Sequence, residues 1–160
     1  MYVAGGAAMY LYTGARVSED VDAVFSHRIA LPQDLEVSYL DESGAAHLLY
    51  FDFQYNDTFG LQHDSARGEA LLLNLAGLDA SRIEVRLLAP ADLAVSKLAQ
   101  LADHDRADIE TLAKMRLIEA GTLRVRAEEA LANYLGEISR VRNSINIACH
   151  IVSRVQAPAS

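Results

Sequence analysis

Residues 3–25 read VAGGAAMYLYTGARVSEDVDAVF and join a glycine pair, Gly5 and Gly6, to a segment that carries Asp20 and Asp22. The alternation of acidic and apolar residues in this segment predicts a strand. Successive side chains of a strand point to opposite faces, so the two carboxylates emerge on the same face. Two like charges that close together repel each other unless a cation lies between them. The stretch therefore indicates a metal site just downstream of a glycine turn.

The first 109 residues are predicted to form a mixed α/β core. Alternation and turn signals predict five strands, of which the third and fourth form a hairpin: Tyr2–Ala4, Asp20–Phe25, Glu36–Leu40, His47–Phe53 and Arg82–Leu88. A helix over Ala7–Tyr12 is expected to stop at Gly14, and the stretch EALLLNL at 69–75 favours a helix over a strand.

After Pro90 the apolar residues recur at helical spacing. Helices are expected in residues 90–105, 108–118 and 122–138 and in Ser139–Val155, whose Val141, Ile145, Ala148 and Val152 form one apolar stripe. The predicted fold class is therefore α/β (α+β), with a core at 1–109 and a C-terminal helical segment at 110–160 packed on it.

Charge and cysteine content exclude some classes of protein. The net charge is −8, and residues 1–109 hold seven Lys and Arg against seventeen Asp and Glu, so a generic polyanion-binding surface is not expected there. The single cysteine, Cys149, excludes an internal disulfide. No apolar run reaches the length of a membrane span, and residues 1–15 lack the basic start of a signal peptide. We expect a cytoplasmic protein that does not enter a membrane.

Glu84 is the predicted third carboxylate of the site. It stands between Ile83 and Val85, and it joins the aspartates if its strand pairs beside theirs. Oxygen ligands without a compact cluster of Cys or His suit Mg²⁺ or Mn²⁺ better than Zn²⁺. The alternative is structural, because Arg82 and Arg86 on the same face are available to pair with Glu84.

This order of motifs resembles the nucleotidyltransferase superfamily of the DNA polymerase beta type. GGAAMYLYTGARVSEDVDAVF, followed by IEVRLLAPADLAVSKLAQLADHDRADIETL, is similar to small stand-alone bacterial nucleotidyltransferases related to AbiEii-type abortive-infection toxins. The resemblance covers about residues 3–118. It implies a nucleotidyltransferase-like mixed sheet with flanking helices. The third acidic position departs from the commoner Asp of the superfamily.

The resemblance also implies roles for individual residues. Backbone amides at Gly5 and Gly6 approach the triphosphate, helped by Arg16 and Ser18. The metal ligands are Asp20, Asp22 and Glu84. Lys97 acts as a point charge near the triphosphate. A pair of aspartates downstream of this lysine completes the pattern: Asp105 and Asp108.

The function implied is Mg²⁺-dependent transfer of NMP from an NTP to a macromolecular acceptor, either a tRNA or a protein. A toxin–antitoxin setting makes a cognate antitoxin or toxin a partner. The alternatives are a catalytically silent interaction module of the same fold and an antitoxin-like protein that adenylylates its toxin. The uncharged first strand, Tyr2–Ala4, predicts either pairing with a second copy in a homodimer or a further helix upstream that covers it.

Four aromatic residues near the predicted hairpin leave a choice open: Tyr50, Phe51, Phe53 and Tyr55. Rings that alternate along a strand either pack in a core or stack on a nucleobase.

Overall fold

A four-stranded sheet and a three-stranded sheet lie within residues 2–87, and helices make up most of the described chain after them. This is a computed structural model that describes residues 1–14, 19–27, 35–40, 43–52, 60–74, 77, 79 and 81–157. The chain divides into a first unit, Met1–Tyr55 with Ala70–Leu88, and a second unit, Asn56–Glu69 with Ala89–Ser160. Residue 109, the boundary expected from the sequence, lies inside a helix of the second unit, Asp103–Lys114.

The four-stranded sheet of the first unit is built around its first strand. Strand β1 (Tyr2–Val3) lies between β3 (Ala23–Val24), to which it is antiparallel, and β7 (Val85–Leu87), to which it is parallel. Strand β6 (Leu71–Leu73) completes the order β3-β1-β7-β6. The inward side chains of β1 and β7 are buried, so this sheet contributes to the core of the unit.

The three-stranded sheet contains the predicted hairpin. Strand β4 (Glu36–Leu40) pairs antiparallel with β5 (Ala46–Phe51), which confirms the hairpin. Strand β2 (Asp20–Val21) lies parallel to β5 on its other side, which gives the order β2-β5-β4. The two mixed sheets and the helices confirm the α+β class.

Helix α1 (Gly5–Thr13) follows β1 directly. Gly14 ends it in the left-handed conformation with φ of 63°, and its amide donates to the carbonyl of Tyr10. A side chain costs energy at positive φ, so glycine is the natural C-terminal cap here. Tyr12 fixes the helix to the end of β7 through a 2.8 Å hydrogen bond from its hydroxyl to the carbonyl of Leu88.

The second unit is helical in its described parts. It contains α2 (Pro90–Ser96), α3 (Asp103–Lys114), α4 (Ala120–Ala130) and α5 (Ile138–Gln156), with a 3-10 turn at Leu131–Asn133. Pro90 opens α2 because its missing N–H is not needed in the first turn. The apolar stripe predicted for the last helix is fully buried, and α5 packs against α3 and α4. In the described parts of the chain, no helix combines the length and apolar character needed to cross a membrane.

Three of the predicted elements differ from the structure. The predicted strand Asp20–Phe25 breaks at Asp22 into β2 and β3, which belong to different sheets. The predicted strand Arg82–Leu88 shortens to β7, and 69–75 contains a strand rather than a helix. Leu71–Leu73 forms a strand because it pairs with β7, and hydrogen bonds to a neighbouring strand override the weak local preference of leucine for helix.

Candidate active site

Gly5 and Asp22 are in direct contact, and only glycine fits at this position. A Cβ atom built on Gly5 would lie 1.8 Å from Oδ2, 2.7 Å from Cγ and 2.9 Å from Cβ of Asp22. Gly5 also has φ of +56°, which residues with side chains rarely adopt. The backbone is joined at the same point, since the amide of Ala4 donates to the carbonyl of Asp22 at 2.8 Å. The glycine turn therefore seats the Asp22 carboxylate.

The start of α1 lies at this contact. Its N-cap residue, Ala4, supplies no side-chain cap, and the first turn contains no acidic residue. The first amides of a helix have no acceptor within the helix, and they carry a partial positive charge that favours anions. Such a helix start can receive a phosphate group. Gly6, in the same turn, is thus where the sequence predicted a close backbone approach to phosphate.

Asp20 lies on the neighbouring sheet, opposite Tyr50. The parallel register of β2 and β5 aligns Asp20 with Tyr50 and Val21 with Phe51. The amide of Asp52 donates to the carbonyl of Val21 at 3.3 Å, so Asp52 continues the pairing beyond the end of the strand. Asp22 and Asp52 thus follow the ends of two parallel neighbours.

The pKa of Tyr50 is raised by the carboxylates around it. The charge of Asp20 is the largest cause that raises the pKa of Tyr50, followed by burial and by the charges of Asp52, Glu19 and Asp22. Four carboxylates therefore act on one phenol group. Sequence reasoning missed Asp52, although Phe51-Asp52-Phe53 has the same apolar-acidic-apolar pattern that drew attention to Glu84.

The donor chemistry of this cluster fits a hard divalent cation, because all of its side-chain donors are carboxylate oxygens. Within the described residues, however, no three or more His, Cys, Asp or Glu side chains converge closely enough to hold a metal ion. Binding of a metal by three carboxylates would therefore require their side chains to move together, which cation binding favours because it relieves their repulsion.

Glu84 does not join the aspartates, and the expectation that their strands are neighbours is wrong. Strand β1 lies between β3 and β7. The carbonyl of Glu84 accepts a hydrogen bond from the amino group of Met1 at 2.7 Å, whereas the carbonyl of Asp22 accepts one from the amide of Ala4. From Met1 to Ala4 the extended chain advances by about 10 Å, and two strand spacings add about 10 Å across the sheet. Glu84 and Asp22 therefore lie at opposite ends of β1.

The side chain of Glu84 is engaged by an arginine. Its Oε1 accepts from Nε of Arg86 at 2.5 Å, and this hydrogen bond lowers the pKa of Glu84. Arg82 pairs instead with Asp79 at 3.3 Å. Glu84 thus forms the ion pair that the structural alternative predicted, and its partner is Arg86 rather than Arg82.

Lys97 lies in the second unit and forms a buried cluster with the two downstream aspartates. Its Nζ is 2.7 Å from Oδ2 of Asp108 and 3.6 Å from Oδ1 of Asp105, and all three side chains are less than 10% exposed. Asp105 also accepts from the amide of Ala102 at 2.9 Å, which caps the start of α3. The sequence singled out these three residues together, and the structure brings them together as an ion cluster that joins α2 to α3.

A second buried ion pair in the same unit was not predicted. Arg126 of α4 donates from Nε and Nη2 to the two carboxylate oxygens of Asp92, at 2.7 and 2.9 Å. Asp92 is only 1% exposed, and Arg126 also contacts Glu69 at 2.9 Å. The pKa of Arg126 is raised, mainly by its bonds to Asp92. The predicted Arg16 and Ser18 lie outside the described residues.

Comparison with known families decides the broad class of the chain. The family model described as nucleotidyltransferase of unknown function (DUF6036) matches residues 69–152, just over half of the chain. The chain belongs to this family. No curated protein and no solved structure matches the chain.

The matched segment contains Glu84, the ion cluster around Lys97 and the ion pair of Asp92 with Arg126. Gly5, Asp20 and Asp22 lie outside it. Membership therefore supports the broad nucleotidyltransferase class. The contact between the glycine turn and Asp22 is an independent observation.

Proposed function

We propose that this protein transfers a nucleoside monophosphate from an NTP to a hydroxyl group of a macromolecular acceptor, at a site formed by α1, β2 and β5. The observation that carries the proposal is the contact of Gly5 with Asp22. It seats a carboxylate at the start of a helix, and a phosphate-binding turn and a metal-binding group are thereby adjacent.

The metal proposed here is Mg²⁺, held by Asp20, Asp22 and Asp52, with Mn²⁺ as a substitute. When bound, it would neutralise phosphate charge and stabilise the leaving pyrophosphate. Asp52 takes the place that the sequence assigned to Glu84, because Asp52 follows the strand that pairs with β2.

The chain's own groups would perform the remaining steps. The amides at Gly5 and Gly6 bind phosphate oxygens of the NTP. A carboxylate, for which we propose Asp52, accepts the proton of the attacking hydroxyl. The new bond joins the acceptor oxygen to the α-phosphorus, and the bond between the α-phosphorus and the bridging oxygen breaks and releases pyrophosphate.

The resemblance to AbiEii-type toxins makes two acceptors the first to examine, a tRNA end and a protein. The experiment incubates the protein with each NTP labelled at the α-phosphate, with Mg²⁺ and with cell extract, and treats the labelled product with ribonuclease or protease. We expect a labelled macromolecule, and its sensitivity identifies its class. Asp20→Asn combined with Asp22→Asn should abolish labelling.

Two matched carboxylate-to-amide variants test the third carboxylate. Asp52→Asn should lower transfer by roughly two to four powers of ten, the range for a positioned acid–base group, and Glu84→Gln should not. If none of the four NTPs, added with Mg²⁺, raises the melting temperature of the wild type, the protein is better described as a silent interaction module.

A further inference from the structure

Tyr50 has an unusual position for an aromatic side chain. It lies on β5, the central strand of the three-stranded sheet, where Asp20 of β2 and Glu36 of β4 flank it in register. Residues paired in register point to the same face of a sheet. Tyr50 is nevertheless 42% exposed as a residue. A large ring on a central strand is thus open to solvent beside a carboxylate of the candidate site.

The next residue shows the packing alternative, and Phe53 and Tyr55 lie outside the described residues. Phe51 points to the opposite face and packs against Phe25, with the ring centres 5.6 Å apart. Leu48 lies two residues before Tyr50 on the open face and is 44% exposed. On β5 this face thus carries two exposed apolar side chains, with Ser38 and Glu36 in register with them on β4.

We propose that the ring of Tyr50 is the surface on which the base of the bound NTP stacks. This inference rests on the proposed function, because the phosphates of the same nucleotide are held next to Asp20. Neighbouring strands are about 4.8 Å apart, so the ring begins within the reach of a nucleotide anchored there. Stacking accepts every base, since each base has a π-face, so all four NTPs should bind, with purines tighter than pyrimidines.

The hydroxyl of Tyr50 contributes little to this role beyond its position. Stacking uses the faces of the aromatic ring, which tyrosine and phenylalanine share. Tyr50→Phe should therefore keep NTP affinity within about twofold, whereas Tyr50→Ala should weaken it by about 5- to 150-fold.

Inorganic tripolyphosphate separates stacking from a structural effect. It carries the phosphate chain of an NTP without the base. In the presence of Mg²⁺, Tyr50→Ala should bind tripolyphosphate as tightly as the wild type while it binds ATP more weakly. Equal losses for the two ligands would overturn the proposal, because a damaged phosphate site would then explain both.

Fluorescence gives a direct readout, because the chain contains no tryptophan. Tyr50→Trp introduces a single indole at the proposed surface, and Tyr10→Trp places one on α1 at similar exposure, 48% for the native residue. Mg²⁺ with ATP should quench the first variant and leave the second unchanged. Equilibrium dialysis with labelled ATP measures binding independently of the reporter.

The outcomes distinguish the two levels of the argument. If the wild type binds ATP but the Tyr50→Trp signal does not change and Tyr50→Ala keeps full affinity, stacking on Tyr50 is refuted and the proposed function stands. If the wild type binds no NTP, both fail together.

Discussion

Substitution of Gly5 by alanine tests the contact that supports the proposed site. The new methyl group would lie 1.8 Å from Oδ2 of Asp22 and within 3 Å of its Cγ and Cβ, so the whole side chain of Asp22 must move. Alanine at φ of +56° adds a conformational cost of about 1–2 kcal/mol. Overpacking at a tight contact costs about 1–3 kcal/mol more. We expect Gly5→Ala to lower the free energy of unfolding by about 2–5 kcal/mol.

Gly14 provides a matched control at the other end of the same helix. It has φ of +63°, but a Cβ atom there would meet nothing within 4 Å. Gly14→Ala should therefore cost only the conformational term, about 1–2 kcal/mol. Urea unfolding of the two variants measures the difference, which isolates the collision with Asp22. In Gly5→Ala, Mg²⁺ with ATP should also no longer raise the melting temperature, whereas Gly14→Ala should keep this response.

A second substitution checks the cause. Asp22→Gly in the Gly5→Ala background removes the side chain that the methyl group strikes, so it should recover the part of the stability lost to overpacking, without recovering nucleotide binding. If Gly5→Ala is no less stable than Gly14→Ala and still responds to the nucleotide, the position of the Asp22 side chain does not depend on a glycine at residue 5.

Three further predictions concern the second unit. Lys97→Met should lower the free energy of unfolding by about 3–5 kcal/mol in urea, because it leaves two buried aspartates without their cation; a loss below 1 kcal/mol would mean that the cluster is solvated. Arg126→Lys should cost about 1.5–3 kcal/mol by removing one of the two hydrogen bonds to Asp92, and a neutral result in the same assay would contradict a bidentate pair. Burial raises the pKa of Cys149. Its reaction with a thiol reagent at pH 8 should therefore be slower than that of free cysteine, and it should accelerate as the pH rises further. A rate equal to that of free cysteine would show that the thiol is accessible.

Patterns that depend only on neighbouring residues were predicted well from the sequence. The hairpin of β4 and β5 follows from two β-rich runs around Gly44, which adopts φ of 82°. The stripe along α5 follows from helical spacing, because an amphipathic helix buries its apolar face. The end of α1 at Gly14 follows from the tolerance of glycine for positive φ.

Features that depend on tertiary pairing were not predictable in the same way. Leu71–Leu73 becomes a strand because β7 provides a partner, which a run of leucines does not reveal. Asp92 and Arg126 are 34 residues apart, so the sequence shows two ordinary helix charges rather than a buried pair. The grouping of Lys97 with its aspartates came from a family resemblance, and the structure adds that the group is an internal ion cluster.

The third carboxylate shows why a motif alone was insufficient. The pattern apolar-acidic-apolar occurs at Asp52 and at Glu84, and the sequence offers no local reason to prefer either. Strand direction separates them. Asp22 and Asp52 follow the ends of β2 and β5, which are parallel neighbours, so the chain leaves both strands at the same edge of the sheet. Glu84 instead precedes β7, which runs parallel to β1, and it therefore lies at the edge where β1 begins rather than at the edge where β1 meets Gly5. In the site that we propose, the third carboxylate follows a strand parallel to β2, and of the two candidates Asp52 meets that condition.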